Sequence, residues 1–176
     1  MKIAVIVGST RIGRQTPKVA KLVHRIFLKY PQVEIETVDL KELNLPFLVE
    51  RLKYHPDPPD SVIQFSEKVA SADLLLVVSP EYNGGIPGVL KNALDYLNDE
   101  YTDKPVGLVT VSAGPHGGKK CYEALLTQFK RVGARPIEEH LQVNNVNDSL
   151  DDDGNVMSGN YEALSEMFAN KILKNI

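Results

Sequence analysis

Two short, unbroken apolar runs, Ile3–Val7 and Leu74–Val78, constrain this chain most, because each stops abruptly at a loop rich in Gly, Ser and Pro. A strand with one wet face alternates apolar and polar residues. A run with no polar face must be covered on both sides, as in a parallel sheet held between two layers of helix. Each run is followed by apolar residues at helical spacing. Val19, Leu22, Val23, Ile26, Phe27 and Tyr30 follow the first, and Ile86, Val89, Leu90, Ala93, Leu94 and Leu97 follow the second.

The same alternation continues. Val33–Val38 reads as a strand near a sheet edge, since Val33, Ile35 and Thr37 alternate with Glu34 and Glu36. Val106–Val111 reads as strand four, and Tyr122, Leu125, Leu126, Phe129 and Val132 mark the helix after it. A fifth strand is expected between Ala134 and Val143, and a last helix through Tyr161, Leu164, Phe168 and Ile172. Thr16 is placed as the cap of the first helix, with Pro17 in its first turn and Pro31 ending it; Asp60 or Ser61 caps a helix running to about Ala70. Four prolines between Leu45 and Asp60 predict an irregular surface loop. The whole is read as one α/β domain, residues 1–176, with right-handed crossovers and helices on both sheet faces.

Composition narrows the function classes. A formal net charge of −3 offers no basic surface for nucleic acid. Cys121 stands alone, so no internal disulfide is available and a reducing, cytoplasmic setting is expected. The apolar runs are too short for a membrane span. His24, His55 and His140 are widely separated and lack metal-ligand spacing, so no metal site is expected.

In open α/β sheets ligands bind beyond the carboxyl ends of the strands, where the strand order reverses, so the loops after strands one, three and four should converge. The first runs Gly8-Ser9-Thr10-Arg11-Ile12-Gly13-Arg14-Gln15-Thr16 into a helix. Free N–H groups and a partial positive charge at that helix start, with hydroxyls and a guanidinium nearby, suit a phosphate. Arg14 and Gln15 stand where a nucleoside-triphosphate loop needs Lys and then Ser or Thr, and no dinucleotide Gly-x-Gly-x-x-Gly follows the strand. Read alone, the segment is either a monophosphate cradle or a connecting turn with two solvated arginines. In the second loop, Ser79 to Gly88, Gly84 and Gly85 permit close backbone approach to a flat ligand, and Pro80 and Tyr82 offer apolar surface beside a ring.

The run Pro80-Glu81-Tyr82-Asn83-Gly84-Gly85-Ile86-Pro87-Gly88-Val89-Leu90-Lys91-Asn92-Ala93-Leu94-Asp95, paired with Gly8-Ser9-Thr10-Arg11, resembles the NADPH-dependent FMN reductase family. The resemblance implies a three-layer, doubly wound, flavodoxin-like fold with a five-stranded parallel sheet in the order 2-1-3-4-5. It implies bound FMN, with Ser9, Arg11, Arg14, Gln15 and Thr16 around the phosphate. Pro80, Glu81, Tyr82, Asn83 and Gly84 would lie along the ribityl chain and ring, and Ser112 and Gly114, with His116, Gly117 or Gly118, would close the other side. Where family members often carry Ser and Asn around positions 14 to 16, this chain has Arg14, Gln15 and Thr16.

The activity so implied is a ping-pong transfer from NADPH or NADH, through FMN, to a small acceptor such as a free flavin, quinone, azo compound or metal oxyanion. The flavin carries the chemistry, so no catalytic side chain is assigned. A homodimer or homotetramer is implied as well. Two competing readings are an FMN-holding electron carrier of the flavodoxin type, which usually has a more strongly acidic face, and a flavin-storage protein without turnover.

Overall fold

The computed structural model describes all of residues 1–176. Five strands, β1 (Lys2–Val7), β2 (Glu34–Asp39), β3 (Leu74–Pro80), β4 (Pro105–Val111) and β5 (Arg135–Val143), form one sheet in the order β2-β1-β3-β4-β5. Every neighbouring pair is parallel, as the continuous apolar runs require.

The two-residue period of a strand sorts the core into two halves. Ile3, Val5 and Val7 pack on one face against α1 (Thr16–Phe27) and α7 (Tyr161–Lys174). Ala4 and Ile6, one residue out of phase, pack on the other against α3 (Asp60–Ser71), α4 (Gly88–Tyr96) and α5 (Lys119–Arg131). A slip of one residue in β1 would exchange these two sets, so both helical layers specify the register. No helix is long and apolar enough to cross a membrane.

Several expected boundaries differ. Thr16 and Asp60 do not cap their helices. Each is the first helical residue, and the preceding Gln15 and Pro59 contribute no side-chain cap. The first helix ends at Phe27, and the chain continues to Tyr30 in tight turns, with Lys29 N donating to Ile26 O (3.2 Å) and Tyr30 N to Phe27 O (3.1 Å). Ile86 and Leu97 flank α4 and are not part of it. Asp39, whose carboxylate accepts Lys41 N at 2.9 Å, starts a short helix α2 (Leu40–Leu43) that was not expected. The proline-rich segment holds a single 3-10 turn, Leu52–Tyr54. It is fastened by Asn92, which accepts Leu48 N at 2.9 Å and donates to Pro46 O at 2.8 Å.

Candidate active site

The loops after β1, β3 and β4 meet in a cleft of about 390 Å³ at the carboxyl edge of the sheet, within the range of small-molecule sites. The strand order reverses beside β1, so the loops leaving β1 and β3 diverge from a common line and leave a crevice between them.

The first wall is the loop Gly8–Gln15. Gly8 N donates to Val78 O at 2.9 Å, continuing the strand pairing by one residue before the chain turns. Ser9 is almost wholly buried, with Oγ 2.6 Å from the Tyr82 hydroxyl. Arg14 is held by a forked pair with Asp39, Nη1 to Oδ1 at 2.5 Å and Nη2 to Oδ2 at 2.6 Å, and Nη1 also donates to Ser9 O at 2.7 Å. Arg14 also lines the cleft, and its guanidinium, engaged by Asp39 at the end of β2 and by Ser9 O, holds the loop in shape. The start of α1 has no side-chain cap and no acidic residue in its first turn, and Pro17 has no N–H to offer. Gln15 donates through Nε2 to Gly13 O at 2.7 Å, which leaves its Oε1 buried without a partner, as is Thr16 Oγ1. Helix polarity and the unpaired Thr16 hydroxyl, a donor, coincide at one wall of the cleft, which suits an anion with several accepting oxygens.

The second wall begins at Pro80. Tyr82 and Gly85 exchange backbone hydrogen bonds, each 3.1 Å, around Asn83 at φ 51° and Gly84 at φ 79°. Two successive positive φ values define a type I′ turn, and Asn-Gly is the pair that adopts it at least cost. Gly84 serves the turn, and Asn83 and Gly84 sit at its tip, outside the cleft lining, while Pro80, Glu81 and Tyr82 line it. The Arg11 guanidinium carbon lies 5.3 Å from the centre of the Tyr82 ring, a cation–π contact between the first two walls. Glu81 reaches across to the start of α5, where Oε2 accepts Lys120 N at 3.0 Å and Cys121 N at 3.2 Å.

The third wall is fastened from behind by β5 and the segment after it. Ser112 lines the cleft beside His116 and Gly118, whereas Gly114 and Gly117 do not. Asn145 N donates to Gly114 O at 3.2 Å, and Gln142 Nε2 to His116 O at 3.1 Å. The Thr110 hydroxyl donates to Gly117 O, so the His140 nitrogen 2.7 Å from Thr110 Oγ1 is the donor of that second bond. His140 is stacked on Tyr122, ring centres 4.0 Å apart, and burial pushes its pKa down to about 4, so the ring is neutral at pH 7. Gly117, at φ 61°, is pressed so close that a Cβ there would lie 1.7 Å from Gln142 Nε2.

Sequence reasoning missed Asp39, Thr110, His140 and Gln142, which hold the walls, and Asn147, which lines the cleft from the short helix α6 (Val146–Ser149). His140 and Gln142 on β5, continued by Asn144 just past its end, recur with period two, a polar stripe that signals one strand face turned to polar work. Cys121 is buried 3.4 Å from Ser79 Oγ, and desolvation raises its thiol pKa to about 11, so it is a structural residue.

A parallel sheet in this order, with an uncapped helix start in a cleft at its carboxyl edge, defines a flavodoxin-like fold. Consistent with that, the chain superposes on the flavoenzyme FerB, an NAD(P)H:(acceptor) oxidoreductase from Paracoccus denitrificans, with TM-score 0.80, 23% identity and coverage of 98% and 97% of the two chains. It superposes on Flavodoxin 1 from Bacillus cereus with TM-score 0.62 and 15% identity, covering 100% and 99%.

The chain belongs to the NADPH-dependent FMN reductase family, whose model matches residues 1–148. It is 34% identical over 138 residues to an NAD(P)H-dependent FMN reductase of Saccharomyces cerevisiae, covering 71% of each protein. It is 36% identical over 121 residues to an FMN-dependent NADPH-azoreductase of Staphylococcus haemolyticus, covering 65% of this chain and 62% of that protein.

Proposed function

We propose that this protein is an FMN-dependent NAD(P)H oxidoreductase delivering electrons to a small acceptor, whether a free flavin, a quinone, an azo compound or a metal oxyanion. The observation that carries this reading is the coincidence of the Thr16 hydroxyl, buried and unpartnered, with the uncapped start of α1 in the same cleft as Tyr82 and Ser112. An unmade hydrogen bond at a buried polar atom costs about 1–3 kcal/mol, so such atoms mark a place where a ligand completes the set.

The residues fit FMN in that place. Ser9, Arg11, Gln15 and Thr16 hold the phosphate with the α1 amides, Pro80, Glu81 and Tyr82 flank the ribityl chain and ring, and Ser112 closes the opposite side. Arg14 acts one step back, fixing Ser9 O through its bond and its own position through Asp39. Asn83, Gly84 and Gly114 contribute through the loop backbone they shape. Held there, FMN would supply the redox chemistry between the dinucleotide and an acceptor that takes its place in the site, a ping-pong order. The side chains of the cleft bind, orient and exclude water.

The reading extends to a cytoplasmic homodimer or homotetramer. Phe47, Val49 and Tyr54 are 90%, 87% and 65% exposed on a segment that is pinned in place, and a second copy covering them would remove that apolar surface from water. Light scattering on the holoprotein reads the mass directly, and a monomer at micromolar concentration rejects the assembly.

The test of function is spectroscopic. Purified protein reconstituted with FMN should be yellow, bleach on anaerobic NADPH addition and turn over with a quinone or ferricyanide. Protein that holds FMN yet needs a separate reductase to bleach is an electron carrier instead.

A further inference from the structure

Glu81 lines the cleft, and its carboxylate is hydrogen-bonded to the backbone at the start of a helix that follows a different loop. α5 starts at Lys119, and its cap position is Gly118, which has no side chain and lies in the left-handed region at φ 79°. No residue of the loop after β4 caps the helix. The missing acceptor comes from 40 residues earlier in the chain, where Glu81 Oε2 receives both Lys120 N and Cys121 N, the second and third amides of the helix. A carboxylate at a helix start also meets the positive end of the helix dipole.

The consequence is mechanical. Glu81 lies between Pro80 and Tyr82, which form one wall of the cleft, and α5 follows directly on the loop Ser112–Gly118, which forms another. Between those two walls the separation is set by β3 and β4 at their bases and, above the sheet, by this carboxylate.

We propose that Glu81 is a positioning residue that fixes the width of the flavin slot by tying the β3 loop to the start of α5, with its negative charge held where it lowers the reduction potential of the flavin. This rests on the FMN reading above. The role is distinct from a ligand contact: the residue acts through the two walls it joins, and through its charge.

The experiment uses the full chain, wild type and the variants Glu81→Ala and Glu81→Gln. FMN affinity is read by flavin fluorescence quenching, the midpoint potential of bound flavin by dye equilibration, and the protection of the Lys120 and Cys121 amides by hydrogen exchange. Glu81→Ala removes the acceptor and should weaken FMN binding about tenfold, the size of one lost cap. Glu81→Gln retains an oxygen acceptor, should stay within about threefold of wild-type affinity, and should still raise the potential because the charge is gone.

Affinity for FMN within about twofold of wild type in Glu81→Ala, at wild-type amide protection, overturns the strut. An unchanged potential in Glu81→Gln overturns the electrostatic part, and, if Glu81→Ala does not fold, wild-type Lys120 and Cys121 amides that exchange as fast as unprotected ones overturn the strut. Failure of the wild-type protein to bind FMN would instead overturn the functional reading, with the amide protection still reporting whether the strut exists.

Discussion

Ser9 and Tyr82, 73 residues apart in sequence, meet through their hydroxyls at 2.6 Å and join the loop after β1 to the loop after β3. Ser9 is only 1% exposed, so water cannot replace the bond. Tyr82→Phe keeps the aromatic face that Arg11 covers but leaves the Ser9 hydroxyl without this partner. We expect a loss of about 1 kcal/mol in urea unfolding of the FMN-free protein. An unchanged unfolding midpoint would mean that the two loops are held together by other bonds.

Arg11 is exposed at the cleft mouth, in contact with the Tyr82 ring and free of any ion pair. Arg11→Ala should leave stability within about 0.5 kcal/mol of wild type, as for other surface changes. FMN affinity should fall at least about tenfold, since hydrogen bonds to charged groups are worth about 1.5–3 kcal/mol. Equilibrium dialysis with FMN checks this, and undiminished retention removes Arg11 from the phosphate site.

Arg14 and Asp39 behave in the opposite way. Their side chains are 14% and 11% exposed, so each largely depends on the other for its missing hydration. Arg14→Met strands the carboxylate, and a loss of about 3 kcal/mol is expected from denaturant titration of the FMN-free protein. The double variant Arg14→Met, Asp39→Leu should lose less than the two single losses combined, because it strands neither charge. Additive losses would show that the pair is not coupled.

His140 makes stability depend on pH. Burial lowers its pKa to about 4 in the folded protein, against about 6.5 for a free imidazole. Between these values the unfolded chain binds the proton and the folded protein does not, so stability rises with pH through that window. The contribution is complete above about pH 6.5 and is lost as pH falls toward about 4. The shift corresponds to at most about 3 kcal/mol, and partial exposure of the ring reduces this to about 2. Urea midpoints from pH 7 to 4.5 should fall more steeply for wild type than for His140→Gln. Parallel curves would mean that His140 titrates normally.

The layout of the fold was legible because it depends on local pattern. Ile3–Val7 and Leu74–Val78 carry no polar face, and the helical stripes after them place each crossover. Helix ends were less legible. Thr16 has the chemistry of a cap but became the first residue of α1, where its buried, unpartnered hydroxyl belongs to the cleft. Asn83 and Gly84 form a type I′ turn, which their own dihedral preferences favour, whereas the sequence points only to Gly84 and Gly85 as a place of close backbone approach.

The sequence by itself determined which strands are buried on both faces, that the sheet is parallel, and that the loops after β1, β3 and β4 carry the site. These follow from side-chain periodicity and from residue types that only certain turns accept. Tertiary structure alone decided what each polar side chain does there: Arg14 paired with Asp39, Glu81 capped a helix 40 residues further on, and His140 braced Gly117 through Thr110. A charged or hydroxylic side chain takes whichever partner the folded backbone brings within about 3 Å, and that choice depends on distances between segments remote in sequence.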